Sequence, residues 1–480
     1  MTAELSVELQ HAVKVIELVR KLAGRDAEAE VTVRHQALAL TRFANSMIHQ
    51  NVADATTSVR LRMHLDGRTA TGSTTVTGVD GLRALVERTI AAARVSPPDA
   101  VWPGLAKPAA LHISAGHPGS GPDSGLNFGF DEATARATPA ERAARVRSFV
   151  EAAGGLETAG YCRTVYVSAA FANTAGQAVE GRTAAAAMDG IARVDGADGV
   201  ARLAAARLDD LDGAVLGARA AAKARAAREP IELPPGQYEV VLEPVAVTDL
   251  LQNFAVFGFN GKAYAQKQSF AELGAAQFDP SITLVDEPLG SRDEPAPGLP
   301  FDDEGTPAHP LVLVREGVTT AVAHDRASAA EVGAVSTGHA SATSRTWGPA
   351  PGHLRLEAAP VTGEPLPDDG PVVGSARPLI ARMKRGLLIT DLWYTRVLDP
   401  RTLVITGLTR NGVWLVEDGQ VTRPVGNLRF TQSYPQALGP GRVLGVGSES
   451  VLLPESWSEI QYSSPALHLA SWNITGNASG

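Results

Sequence analysis

The stretch TSVRLRMHLDGRTATGST, residues 57–74, alternates apolar and polar side chains and then reaches an Asp-Gly pair. Four apolar residues alternate with three basic ones, in the order Val59, Arg60, Leu61, Arg62, Met63, His64 and Leu65. Because successive side chains of a strand point to opposite faces, this pattern predicts a strand with one buried face. Asp66-Gly67 favours a two-residue turn. The stretch therefore predicts a hairpin in a half-buried antiparallel sheet.

Helical patterns lie on both sides of this hairpin. Apolar residues recur at helical spacing near the N-terminus, and Gly24 then favours a helix end. Helices are also predicted over residues 80–94 and near 207–228, and residues 95–130 are rich in Pro, Gly and Ser, which is typical of a surface connection. Thr138-Pro139-Ala140-Glu141 predicts a helix start, since Thr caps the helix and Glu three residues later completes a capping box. Residues 1–230 are therefore predicted to form an N-terminal α/β domain.

The pattern changes at EPIELPPG, residues 229–236, which is interpreted as the domain junction. Beyond it, short apolar runs such as YEVVLEPV, GVWLVEDGQVTRPVG and RVLGVGSESVLLP are interrupted by Glu-Gly, Asp-Gly and Pro. We expect residues 231–480 to form a C-terminal domain of mostly antiparallel strands. The predicted fold class is α+β.

Composition narrows the classes of function. The chain has 480 residues and a formal net charge of −9, and no window concentrates enough Lys and Arg to follow a phosphate backbone, so no nucleic acid partner is expected. No window approaches 18 uncharged apolar residues, and the N-terminal segment has no secretory pattern, so we expect a cytoplasmic protein with no membrane partner. Cys162 is the single cysteine, which excludes an intrachain disulfide and favours a buried structural thiol over a nucleophile.

Candidate metal ligands are sparse. A zinc peptidase helix needs two suitably spaced His residues with a Glu beside the first. His112 and His117 are five residues apart, but Ile113 follows the first and the surroundings are rich in Gly and Pro. The pair is interpreted as two loop histidines. No metal ligands are predicted in this chain.

An acidic cluster occurs in LPFDDEGTPAHP, residues 299–310, which holds Asp302, Asp303, Glu304 and His309. Carboxylates gathered in one turn repel each other unless a cation, a helix N-terminus or a ligand relieves them. Asp-Glu-Gly before a Pro is also good turn chemistry. The stretch is therefore either a structural turn or a loop that faces a ligand.

A polar segment, STGHASATSR, residues 336–345, is a second candidate contact region. Hydroxyls of Ser336 and Thr337, the flexible Gly338 and the guanidinium of Arg345 could hold an extended peptide or its carboxylate. A polar loop that caps a sheet explains the same residues equally well.

Five segments in order, TRFANSMIHQN, PPGQYEVVLEPVA, FDDEGTP, VREGVTTAVAHDRASAAEVGAVSTGHASATSR and DGQVTRPVGNLRFTQS, resemble the TldD/PmbA family of metallopeptidase-related proteins over nearly the whole chain. The resemblance implies two kinds of subunit, of which the TldD kind carries an HExxxH zinc helix and the PmbA kind, also called TldE, lacks it and pairs with the first. This sequence resembles the second kind, because VTDLLQNFAVFGFNGKAYAQ, residues 247–266, stands where the zinc helix would be.

The resemblance further implies a substrate cleft between an α/β N-terminal half and a β-rich C-terminal half, with the FDDEG loop near that cleft or the subunit contact. The chain is thus expected to be a partner subunit without zinc that docks on an HExxxH-bearing, TldD-like subunit and helps to bind a peptide or peptide-like substrate. Zinc is expected in that partner. The alternatives are an autonomous metal-free enzyme, for instance one that tailors a peptide-derived natural product, and a non-catalytic scaffold protein.

Overall fold

The computed structural model describes residues 5–111, 130–290, 296–361, 366–368, 370–454 and 460–478. Helices and strands of the first half, in chain order, are α1 (Val7–Leu22), β1 (Glu28–Ala44), β2 (Met47–Leu65), β3 (Arg68–Thr74), α2 (Val79–Val95), α3 (Glu132–Ala135), α4 (Pro139–Ala152), β4 (Glu157–Asn173), β5 (Ala178–Val194), β6 (Ala197–Ala205) and α5 (Gly213–Ala226). The predicted helix start at Pro139 is confirmed, because the side chains of Thr138 and Glu141 form the reciprocal capping box.

The first sheet has the order β3-β2-β1-β4-β5-β6 among the described residues, and every neighbouring pair in it is antiparallel. The predicted hairpin is confirmed: β2 and β3 pair up to Leu65 opposite Arg68, and Asp66 and Gly67 form the turn with positive φ angles of 50° and 74°. Positive φ at both central positions is the geometry of the hairpin turn that Asp-Gly favours.

In the described part of the chain, the helices of the first half pack on one face of this sheet. One buried cluster joins α1 and α2 to residues such as Val31, Val33 and Leu61 of β1 and β2. A second cluster joins α4 and α5 to Cys162 and Met188 of β4 and β5. Because side chains alternate along each strand, the intervening residues face the other side of the sheet, where the C-terminal half lies.

The C-terminal half is rich in strands, as predicted. Its strands are β7 (Gly236–Leu242), β8 (Leu284–Asp286), β9 (Leu311–Arg315), β10 (Val318–Thr319), β11 (Leu354–Leu356), β12 (Arg385–Ile389), β13 (Leu392–Asp399), β14 (Val404–Thr409), β15 (Val413–Glu417), β16 (Gln420–Val425), β17 (Leu428–Ser433), β18 (Val443–Val446), β19 (Val451–Pro454), β20 (Gln461–Ser464) and β21 (Leu467–Asn477). Its helices are α6 (Pro244–Asn253), α7 (Gly261–Ala265), α8 (Arg326–Val332), α9 (Ser344–Trp347), α10 (Arg377–Ile380) and α11 (Tyr434–Ala437).

These strands form two further sheets in the described part of the chain. One has the order β10-β9-β8-β11-β20-β19, and the other has the order β13-β14-β17-β21-β7-β12-β15-β16, with β18 beside β21. Most pairs are antiparallel, and the described exceptions are β7 with β12 and β11 with β20. A large apolar core lies between the two sheets and includes α6. The α+β class is therefore confirmed.

Candidate functional site

A cleft of about 690 Å³ lies between the uncovered face of the first sheet and loops of the C-terminal half. On the side of the cleft formed by the sheet, residues of β1, β4 and β5 lie next to each other in rows. One such row is Gln36, Val167 and Thr183, because Gln36 pairs with Val167 and Val167 pairs with Thr183. The sheet wall is formed by Arg34, Gln36, Leu38, Arg163, Val165, Val167, Thr183, Ala185 and Ala187. The opposite wall includes Asp286, Phe301, Asp302, Asp303, Gly338, His339, Ser341 and His353. An apolar floor is thus flanked by charged side chains.

The acidic segment forms a tight turn that borders the cleft. The amide of Gly305 donates to the carbonyl of Asp302 at 2.9 Å, and the Asp302 carboxylate accepts from the amides of Glu304 and Thr306, each at 2.9 Å. Gly305 has φ +72°, and a Cβ there would come within 2.3 Å of the Phe171 ring on β4. The segment therefore has the hydrogen bonds of a structural turn, and Asp302 and Asp303 also line the cleft.

Asp302 links this turn to the second candidate segment. Its other carboxylate oxygen accepts from the amide of Ala340 at 2.9 Å, and the amide of Asp303 donates to the carbonyl of Ala340 at 3.1 Å. Burial, reinforced by the nearby charge of Glu304, raises the pKa of Asp302 to about 7, although three amides donate to its carboxylate. Asp302 therefore titrates close to neutral pH at the wall of the cleft.

Glu304 belongs to a buried network of four charges, formed with Glu30, Arg62 and Arg326. Its carboxylate pairs with Arg62 at 2.7 Å and with Arg326 at 3.0 Å. Glu30 pairs with the same two guanidiniums, each at 2.5 Å. Glu30 and Arg62 belong to the first sheet, whereas Glu304 and Arg326 belong to the C-terminal half. This four-residue network joins the two halves beside the cleft.

The pKa values of the two carboxylates in the network are shifted in opposite directions. Burial raises the pKa of Glu30 and outweighs the charges of Arg62 and Arg326, which act to lower it. Burial also acts to raise the pKa of Glu304, but the charges of Arg326 and Arg62 and the amide of Arg326 outweigh it and leave that pKa lowered. The Glu304 carboxylate is therefore ionised at neutral pH, and its oxygens are engaged by protein groups.

A buried ion pair between His339 and Asp286 forms another part of the cleft wall. Nε2 of His339 lies 3.0 Å from Asp286, and Nδ1 lies 2.9 Å from the hydroxyl of Thr337. Burial acts to lower the pKa of His339, but the hydrogen bond and charge of Asp286 outweigh it and leave that pKa raised. The pKa of Asp286 is lowered: burial acts to raise it, but the hydrogen bond and charge of His339 outweigh that effect. Because both ring nitrogens are engaged by protein groups, the imidazole is not placed to act as a general base.

The remaining predicted site residues divide into two groups. Gly338 lines the cleft, and the hydroxyls of Ser336 and Thr337 donate to the carbonyl of His324 at 3.3 and 3.1 Å. His309 is half-buried and Arg345 is exposed, and neither lines the cleft. His112 and His117 lie outside the described residues. Three of the eight predicted contact residues, Asp302, Asp303 and Gly338, therefore line the cleft.

Sequence reasoning did not assign several charged residues to the candidate site. Among them are Glu30, Arg62, Asp286, Arg326 and His339. His339 directly follows the predicted Gly338, so its position in the sequence was a signal that could have identified it. The others lie far along the chain from their partners, and Glu30 and Arg326 are 296 positions apart.

Helix α6 occupies the position where the resemblance places a zinc helix. Leu250 and Leu251 point into the core with exposures of 0% and 1%. The carboxylate of Asp249 accepts from the hydroxyls of Tyr434 at 2.6 Å and Thr395 at 2.7 Å, and from the side-chain amide of Asn253 at 3.3 Å. Burial raises the pKa of Asp249 to about 6. These residues do not fit a zinc ion, because the leucines offer no donor atom and the carboxylate is already occupied.

Metal-ligand clusters were also sought among the other described side chains. There, no group of three or more His, Cys, Asp or Glu residues is arranged to hold a metal ion.

The sequence profile of the PmbA/TldA metallopeptidase C-terminal domain matches residues 235–476. The chain belongs to the PmbA/TldD family. No curated protein matches the sequence. The family match covers both C-terminal sheets, the acidic turn and helix α6.

Solved structures of low sequence identity share the fold. TldE from Thermococcus kodakarensis is 18% identical with a TM-score of 0.81, and the similarity covers 97% of this chain and all of that one. A protein described as a modulator of DNA gyrase from Thermotoga maritima is 18% identical with a TM-score of 0.79, covering 97% and 99%. Another protein so described, from Bacteroides thetaiotaomicron, is 18% identical with a TM-score of 0.78, covering 97% and 98%.

Helices of the described segments were compared with the length and hydropathy of a membrane span. None of them is long and apolar enough to cross a bilayer.

Proposed function

We propose that this chain is the partner subunit without zinc of a TldD/TldE-type metallopeptidase heterodimer. The observation that carries the proposal is the chemistry of α6. In the family's zinc-bearing subunits this position holds HExxxH, whereas here it holds Leu250, Leu251 and the hydrogen-bonded Asp249. Aliphatic side chains buried in the core cannot be exchanged for water or metal without losing that packing. The likeness to TldE from Thermococcus kodakarensis supports the same assignment.

The cleft supports a role in binding the substrate. Its volume of about 690 Å³ is within the range of sites that enclose small ligands, and its apolar floor is bordered by Arg34, Arg163 and His339. Guanidinium groups suit carboxylates and the carbonyl oxygens of a peptide. The ligand class proposed for the cleft is a peptide or peptide-like chain.

The absence of zinc ligands in α6 and the position of the cleft give the two subunits different roles. Zinc held by the partner subunit would polarise the scissile carbonyl and lower the pKa of the attacking water. This chain contributes binding and orientation of the peptide, and its four-residue network of Glu30, Arg62, Glu304 and Arg326 keeps the walls of the cleft at a fixed separation.

Affinity isolation of the chain from its native cell tests the proposal. The expected result is co-purification of an HExxxH-bearing homologue, and size-exclusion chromatography of the two purified chains is expected to give one peak of heterodimer mass. Separate elution of the two chains at micromolar concentration would contradict the proposal. Peptide hydrolysis by this chain alone would instead favour the autonomous enzyme.

A further inference from the structure

Strand β13, Leu392–Asp399, exposes aromatic and aliphatic side chains at the edge of the large C-terminal sheet; we call it the aromatic strand. Trp393 is 37% exposed, Tyr394 62% and Leu398 60%. Among the described strands, β14 is its single neighbour, so its outer edge is open. Large apolar side chains grouped on an open edge mark an interaction surface more often than a solvated one.

A bulge in the aromatic strand turns its aromatic residues outward. Trp393 lies opposite Leu408 and Arg396 lies opposite Thr406, so Tyr394 and Thr395 together face the single Gly407. Tyr394 has a φ of 53°, which is sterically unfavourable for a bulky residue. Bulges of this kind re-aim side chains and are found near functional surfaces. This backbone conformation leaves Tyr394 62% exposed.

Helix α6 anchors the bulge from inside. The hydroxyl of Thr395 donates to Asp249 at 2.7 Å, and Tyr434 and Asn253 donate to the same buried carboxylate. The segment that corresponds to the zinc helix therefore holds the aromatic strand in place. A cavity of about 470 Å³ between α6 and the strand, lined also by Gln252 and Phe257, could admit a side chain of a partner.

Two guanidiniums lie over the exposed rings. The guanidinium of Arg396 is 4.2 Å from the ring centre of Tyr394, and that of Arg410 is 4.6 Å from that of Trp393. Neither Arg396 nor Arg410 forms an ion pair with any carboxylate that the structure describes. Arg396 and Arg410 therefore place positive charge beside the exposed rings, and the complementary surface has an apolar centre with carboxylates beside it.

We propose that the aromatic strand is the docking site for the zinc-bearing subunit, whose contacting surface is apolar with a rim of carboxylates. The inference rests on the function proposed above and specifies where the two subunits meet. Trp, Tyr and Arg are the residue types that dominate the binding energy of protein interfaces. Asp249 acts in this account as a positioning residue, since it holds the bulge and does not contact the partner.

Affinity measurement with the HExxxH-bearing homologue tests the docking site. The variant Trp393→Ala/Tyr394→Ala is expected to weaken binding by at least about 30-fold, the loss produced by one strong interface residue. Trp347→Ala is the matched control, because Trp347 is 72% exposed and lies outside the cavity beside the aromatic strand. The control is expected to bind like the parent chain. The melting temperature and circular dichroism spectrum of both variants are measured as a check that they are folded, since Trp393 is 37% exposed and lines the cavity beside α6.

Three outcomes are distinguishable. A loss of affinity confined to the Trp393/Tyr394 variant, together with weaker binding of Arg396→Glu, supports the docking site. Equal affinity of the parent, the Trp393/Tyr394 variant and the control overturns it and leaves the proposed function standing. Absence of binding by the parent chain overturns both the docking site and the proposed function.

Discussion

Replacement of Glu304 by Gln tests whether the four-residue network joins the two halves of the chain. In the parent, two carboxylates and two guanidiniums balance each other, and the side chain of Glu304 is 6% exposed. Glu304→Gln leaves Arg62 and Arg326 with the single carboxylate of Glu30, so one positive charge becomes uncompensated in a buried site. Loss of one partner from a buried ion pair costs about 3 to 5 kcal/mol.

The free energy of unfolding in urea measures this effect. If the free energy of unfolding falls by about 3 kcal/mol per molar urea, a loss of that size lowers the urea midpoint by about 1 to 1.7 M. Asp303→Asn is the matched control from the same turn, because the Asp303 side chain is 32% exposed and its oxygen lies 3.9 Å from Arg60. A pair of that kind contributes about 1 kcal/mol or less. Equal midpoints for the two variants would refute the view that the network holds the halves together.

Three further predictions concern metal, pH and the thiol. Protein purified without a His-tag should contain far less than one zinc per chain by metal analysis, and one tightly held zinc would contradict the reading of α6. The pKa of Asp302 is raised from its ordinary value to about 7. Between pH 4 and 7 the Asp302 carboxyl is therefore protonated in the folded state and ionised in the unfolded state. The stability of the parent relative to Asp302→Asn should therefore fall as pH rises from 4 to 7, and a difference independent of pH would argue against a buried, titrating Asp302. Burial raises the pKa of Cys162 to about 12, so the thiol should resist alkylation at pH 8 until the protein is unfolded, and rapid labelling of the native chain would be inconsistent with its burial.

Local features of the fold were predictable because short-range physics determines them. The Asp66-Gly67 turn and the cap at Thr138 each depend on residues within four positions, and the structure has both. The buried environment of Cys162 likewise follows from its apolar strand. Periodicity and capping are visible in one sequence because the interacting groups are close along the chain.

The site was only partly predictable because its contacts are long-range. The turn around Asp302 was identified from its composition, but its proximity to Ala340 depends on how two loops meet across the cleft. Glu304 is a candidate contact residue in a stretch that is either a structural turn or a loop that faces a ligand. The structure pairs its carboxylate with Arg62, which belongs to the hairpin of β2 and β3. Nothing in the local pattern of either segment reveals that pairing. A strand with alternating Arg residues is equally consistent with a solvated face.

Activation of a zinc-bearing homologue by this chain is the measurement that tests the partner-subunit account most directly. Peptide hydrolysis is measured at a fixed concentration of the HExxxH-bearing homologue while this chain is added, well above the dissociation constant of the pair. The account predicts negligible activity for either chain alone and a linear rise that stops at one equivalent. Full activity of the homologue alone, unchanged by addition of this chain, would contradict it.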